Sequence, residues 1–261
     1  MAKSINLPAI VLAAFGASSP IAREVYANVE ARVRTAFPEH KICWAYLSQQ
    51  IVAKQRKLGV FLPTLSEALV SLKQDGFEKA AIQPLLVVPG EEFAAVKSVS
   101  CDGLKLSIGD PLLSSETDME AALAAITPHI QKDIPNVLIC HGNQKHTEYN
   151  EPLLRLKSLV ESRYYNVVVA SIEGDPGRSP LLRANEMAKI HGEVVFIPIM
   201  MAAGEHVTRD VMGDDPGSWK HIVGARHSAC LEPLGKNASI LEIYLSHIGD
   251  AMQRLTIGAL S

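Results

Sequence analysis

The sequence predicts an α/β protein: two similar, doubly wound (Rossmann-like) parallel-sheet halves facing a central cleft. Three observations predict it. Short, uniformly apolar runs alternate with longer amphipathic ones. The order of these runs in the first half returns in the second. The two halves can also be laid against each other residue by residue. Uniformly apolar strands separated by helices imply a parallel sheet covered on both faces.

In the first half, 9–14 reads as a buried strand, 22–37 as a helix and 41–46 as a second strand. The stretch 64–75 is a helix opened by Pro63-Thr64 and closed by Gly76. Strands follow at 79–88 and 105–108, and a helix at 119–130 leads into the second half. There, 136–140 is a strand and 151–163 a helix with Pro152 near its start. A strand at 166–172, a helix at 180–190 and a strand at 193–200 come next. A long loop, short segments at 221–225 and 230–234, and a terminal helix at 238–255 complete the chain.

The repeat is specific. Ala14-Phe15-Gly16 lies over Cys140-His141-Gly142, and the same offset lays Leu47 over Glu173. Farther on, 84–93 (PLLVVPGEEF) lies over 198–207 (PIMMAAGEHV), which matches Gly90-Glu91 with Gly204-Glu205 and Glu92 with His206. Asp110-Pro111-Leu112 resembles Glu232-Pro233-Leu234. Repeats this long are no solenoid units; they imply two domains of one architecture, 1–126 and 127–261, with the terminal helix free to pack back on the first.

Composition narrows the function. With 261 residues, 48% hydrophobic and 20% charged, the chain can bury a sizeable core. A net charge of -3 gives no basic excess for nucleic acid, and no basic amphipathic run suggests a membrane surface. No apolar stretch is long enough to span a bilayer. Cys43, Cys101, Cys140 and Cys230 are scattered, without a CxxC pair, as free thiols in a reducing cytoplasm would be. The apolar stretch 7–15, preceded by Lys3, imitates a short signal-peptide core, but it runs into Gly16-Ala17-Ser18-Ser19-Pro20, which reads as a strand-to-helix loop. A processed periplasmic form of an exported protein would carry the same pattern.

In parallel α/β sheets, ligands bind beyond the carboxyl ends of the strands. Three potential metal ligands emerge there in the second half: His141 after 136–140, Glu173 after 166–172, and His206 in the loop after 193–200. Alone, each histidine reads more readily as a hydrogen-bonded loop residue. Together, two imidazoles and a carboxylate suit a borderline divalent ion. Three protein ligands leave positions open for water or substrate nitrogens. The matching first-half positions, Phe15, Leu47 and Glu92, are mainly apolar and suit support of a substrate rather than of an ion.

Other residues carry weaker signals. Glu205 suits either a surface position or a second-sphere role that orients an imidazole. His146 reads as a solvated loop histidine or a gate, and His40, His129, His191, His221, His227 and His247 as surface residues. The turn-rich segment Gly213-Asp214-Asp215-Pro216-Gly217-Ser218-Trp219-Lys220 offers Trp219 either as a flat face for a planar ligand or as a pin for its own loop. Lys54-Gln55-Arg56-Lys57 reads as a solvated helix end or as a positive rim for an acidic substrate.

These residues together resemble a known family. Phe15-Gly16, 85–92 with its Pro-Gly-Glu-Glu, His141-Gly142, Glu173, Ala203-Gly204-Glu205-His206 and 214–220 (DDPGSWK) make the chain similar, over nearly its whole length, to the anaerobic cobalt chelatases. These sirohydrochlorin cobaltochelatases belong to the class II chelatase group that includes protoporphyrin ferrochelatase. The resemblance implies the chelatase-like fold, insertion of Co2+ into sirohydrochlorin on the early-cobalt route to cobalamin, and no organic cofactor. It implies His141, Glu173 and His206 as metal ligands and catalytic groups, a tetrapyrrole as substrate, and a homo-oligomer. Fe2+ or Ni2+ as substrate metal, siroheme-type ferrochelatase activity, and non-catalytic metal or tetrapyrrole binding are the alternatives. Two positions depart from the family pattern: Ala17 stands for a hydroxyl residue, and Cys140 for a glycine before His141.

Overall fold

The computed structural model describes residues 7–16 and 20–257; Ala17 and its hydroxyl-bearing neighbours Ser18 and Ser19 lie outside them. In chain order the elements are β1 (Ala9–Ala14), α1 (Pro20–Ala36), β2 (Ile42–Tyr46), α2 (Gln49–Lys57), α3 (Leu65–Gln74), β3 (Lys79–Pro84), α4 (Glu91–Lys97) and β4 (Lys105–Ile108). They continue with α5 (Glu116–Ile126), β5 (Asn136–Cys140), α6 (Glu151–Arg163), β6 (Val167–Ser171), α7 (Leu181–His191) and β7 (Glu193–Pro198). The last are α8 (Trp219–Val223), β8 (His227–Cys230) and α9 (Ala238–Ile257).

Two parallel sheets result, with strand orders β2-β1-β3-β4 and β6-β5-β7-β8. The described residues divide into two compact units: 7–16, 26–114 and 241–257 form one; 20–25 and 115–240 form the other. α5 therefore groups with the second sheet, and most of α9 with the first.

Each unit owes its core to strands that are apolar on both faces. In the first, Val11, Ala13, Ala45 and Ile82 pack with Leu69, Leu72 and Val96. Side chains alternate across a strand, so Ala81 points the other way, into a cluster with Ala251 and Leu255 of α9. Polar contacts fix α9 to this sheet: Tyr244 donates its hydroxyl to the Leu86 carbonyl at 2.8 Å, and Arg254 donates to the Ile108 carbonyl at 2.7 Å. His247, expected at the surface, is buried, its Nδ1 donating to the Asp110 carbonyl at 2.8 Å. Thr64 and Glu67 form a reciprocal capping box at the start of α3. In the second unit, Val137, Ile139, Val168, Phe196, Leu181 and Val223 close around Trp219.

Strand register makes the internal repeat exact at most positions and corrects it at one. Leu85 donates its N–H to the Ala13 carbonyl as Ile199 does to Ile139, and Leu112 to Leu86 as Leu234 does to Met200. Ala14 pairs with Tyr46, however, while Cys140 pairs with Ser171. The connection from β5 to β6 is thus one residue shorter than that from β1 to β2. Ser48, not Leu47, is the counterpart of Glu173: Ser48 donates its N–H to Phe15 as Glu173 does to His141. Further details differ from expectation: α4 was not foreseen, and α5 ends at Ile126. β3 ends at Pro84, β8 begins at His227, and the long loop after β7 holds a wide helical turn (His206–Val211) and α8.

Candidate metal centre

β5 is buried along its whole length, and its chain emerges into solvent at His141. The turn that follows is fixed by backbone. Gly142 has φ +75°, and a Cβ there would collide with the Glu173 carbonyl oxygen. Only glycine allows this approach without strain. The buried Asn150 side chain accepts from Asn143 N–H and donates to Asn143 C=O, both at 2.8 Å. The Asn143 side chain in turn accepts from the N–H groups of Lys145 and His146. After β6, Ser171 Oγ donates to Gly174 C=O and accepts from Gly177 N–H. The Glu173 N–H donates to the His141 carbonyl at 2.8 Å, so the backbones of the two candidate ligands are tied directly.

His206 opens the wide turn after β7, in which Met212 N–H reaches back five residues to Val207 C=O. Such i→i+5 turns recur at functional sites. Its ring faces that of His141, with centroids 5.1 Å apart and planes at 83°. His206 Nδ1 lies 2.7 Å from Asp210 Oδ2, and His141 Nδ1 lies 2.9 Å from the Gly142 carbonyl. A carbonyl or carboxylate oxygen only accepts, so each Nδ1 carries a proton, and in the neutral ring Nε2 is the nitrogen that keeps a lone pair for a metal. A metal bound by both at about 2.1 Å would stand roughly 3 Å from each ring centre.

Asp210 was not singled out in the sequence; of the two roles open to Glu205 the surface one fits its exposure, and Asp210 holds the imidazole. The spacing of four residues between His206 and Asp210 is the helical signal that reveals it. The hydrogen bond from His206 holds the Asp210 carboxyl below its ordinary range, with Arg209, 3.1 Å away, adding to the effect. Cys140, beside His141, is wholly buried in β5, and burial pushes its thiol up to about 12.

The structure brings His141 and His206 together by side chain and Glu173 to His141 by backbone. Among the described residues, no three His, Cys, Asp or Glu side chains converge as a ready-made metal cluster. In the first unit, Phe15 is exposed at the end of β1, Leu47 packs against the core, Ser48 caps α2, and Glu92 lies in the first turn of α4. Trp219 corrects the expectation of a flat substrate face. It is 0% exposed, its ring wholly inside the second core, and its Nε1 has no hydrogen-bond partner. The apolar indole outweighs the polar loop around it, and burial wins. His146 contacts Glu148 and the Tyr149 ring. Arg56, on the basic stretch 54–57, is paired with Glu67, and Arg209 is paired with Asp210.

Comparison with known proteins agrees with this architecture. The chain is 28% identical to the sirohydrochlorin cobaltochelatase CbiKC of Nitratidesulfovibrio vulgaris over 94% of its own length and 91% of the relative's. It is 26% identical to the sirohydrochlorin cobaltochelatase of Salmonella typhimurium, over 82% and 84% of the two chains. The fold resembles the sirohydrochlorin chelatase SirB from Bacillus subtilis subspecies spizizenii, solved in complex with cobalt. Here the TM-score is 0.60 at 14% identity, covering 95% of this chain and 96% of that one. The model of the cobalt chelatase (CbiK) family matches residues 8–253. The chain belongs to the cobalt chelatase (CbiK) family.

Proposed function

We propose that this protein is a sirohydrochlorin cobaltochelatase that inserts Co2+ into sirohydrochlorin in anaerobic cobalamin biosynthesis. Family membership supports the reaction class. The observation that carries the reading is the facing pair His141 and His206, each with Nδ1–H tied back and Nε2 left as a donor.

The metal is a substrate here, held and then released, and a site with few protein ligands suits that task. Two neutral imidazoles bind the ion strongly enough to displace water, yet leave positions for pyrrole nitrogens. Insertion of a divalent ion releases two N–H protons from the macrocycle. His141, the more exposed imidazole, accepts one as the metal leaves it. Glu173, exposed beside His141, balances the charge of the ion and takes the second. Asp210 holds the His206 ring in one tautomer throughout. No organic cofactor enters this chemistry. The four cysteines are free thiols, which favours a reducing, cytoplasmic setting. Among the described residues, no helix is long and apolar enough to cross a membrane.

The test is turnover. Purified protein mixed with excess sirohydrochlorin and Co2+, followed by absorption, should produce many equivalents of the cobalt complex. One equivalent per chain and no more would make it a carrier. Competition among Co2+, Fe2+ and Ni2+ at equal concentration identifies the preferred metal, which ligand type alone does not decide.

A further inference from the structure

The first unit carries an exposed apolar tip that its fold does not use. Leu58 is 68% exposed, Val60 39% and Phe61 69%, all within one short loop between α2 and α3. The loop is not a slack connection. Its base is pinned at the carboxyl end of β2, where Thr64 bridges Tyr46 and the Tyr46 N–H donates to Pro63 C=O at 2.9 Å. Its tip is folded back: the N–H groups of Leu58 and Val60 both donate to the carbonyl of the buried Gln55. Arg56, paired with Glu67, sits 5.4 Å over the Phe61 ring and holds it while leaving most of its surface open. Exposed large apolar groups held in place are a mark of a binding surface.

Two features define what it would bind. Lys54 and Lys57 are exposed on the last turn of α2, beside the tip, in a chain whose net charge is -3. The base of the loop also stands at the carboxyl end of β2, the end of a parallel α/β sheet that takes ligands. Apolar surface edged with ammonium groups fits a flat apolar ring edged with carboxylates.

We propose that this loop is a docking surface for the tetrapyrrole. Leu58, Val60 and Phe61 lie against the macrocycle, and Lys54 and Lys57 receive its peripheral carboxylates. The proposal rests on the reading of the chain as a sirohydrochlorin chelatase. The residues act by binding alone, so their loss raises KM and spares kcat.

The test uses the full chain and two double variants, Leu58→Ser with Phe61→Ser, and Lys54→Gln with Lys57→Gln. Metal-free sirohydrochlorin binding is read by fluorescence, and cobalt insertion by absorption. The apolar double variant should bind sirohydrochlorin about ten-fold more weakly, with kcat changed by less than about two-fold. The lysine variant should lose the salt dependence of binding seen in the parent. Unchanged affinity in both variants overturns the proposal. So does a parent that self-associates through the tip, with the serine variant monomeric and its affinity for sirohydrochlorin intact. Weakened binding in a protein that never turns over would support the docking surface and overturn the chelatase reading instead.

Discussion

His206 and Asp210 stand one helical turn apart with Nδ1 and Oδ2 separated by 2.7 Å, so Asp210 fixes the tautomer of the ring that lies against His141. On the proposed reading, Asp210 acts on the metal only through this contact. Asp210→Asn should lower Co2+ affinity about 10- to 100-fold, with the far-ultraviolet spectrum unchanged. Equilibrium Co2+ titration checks it; wild-type affinity in the variant would remove Asp210 from the site.

Gly142 is a position where backbone geometry serves the site. Its positive φ and the Glu173 carbonyl leave no room for a side chain. Gly142→Ala should destabilise the protein by about 2 kcal/mol or more and move His141 away from His206. Thermal unfolding reads the first effect and Co2+ binding the second. A variant as stable as its parent would show that the turn relaxes freely.

Acid tests the capping of α3. Hydrogen bonds from Thr64, then the Arg56 contact, hold the Glu67 carboxyl down at about 2, against an ordinary value of 4.5. A depressed carboxyl contributes stability above its unfolded value and loses it as pH falls through the folded one. Glu67→Gln should therefore be less stable than the parent at neutral pH. The difference should shrink from about 4.5 downward and vanish near 2. A difference that is constant over this window would assign the effect to packing.

Trp219 should behave as core. Trp219→Phe removes a buried N–H that has no partner but leaves unfilled volume, so a change of about 1 kcal/mol in stability is expected. KM for sirohydrochlorin should stay at the parent value. A raised KM with unchanged stability would return the ring to the substrate.

Much of this was legible in the sequence, for physical reasons. β1, β5 and β7 are buried on both faces, and continuous apolar runs announce such strands. The repeat placed His206 opposite Glu92, and the matching bonds after β3 and β7 follow the same alignment. The single-residue difference between β2 and β6 was hidden, because a strand apolar on both faces carries no alternation to mark its register. Leu47 was thus set against Glu173 where Ser48 belongs. Asp210 was missed because 201–220 lacks apolar periodicity, although Asp210 stands at helical spacing from His206. Trp219 misled because Asp214-Asp215-Pro216-Gly217 marks a surface turn, while the indole two residues on drops into the core.

The most direct test of the account is the steady-state rate of cobalt insertion into sirohydrochlorin by His141→Ala and His206→Ala, each shown to be folded. Loss of turnover by about 100-fold or more in each is the result expected if the facing imidazoles hold and release the metal. Insertion at the parent rate by either variant would contradict it.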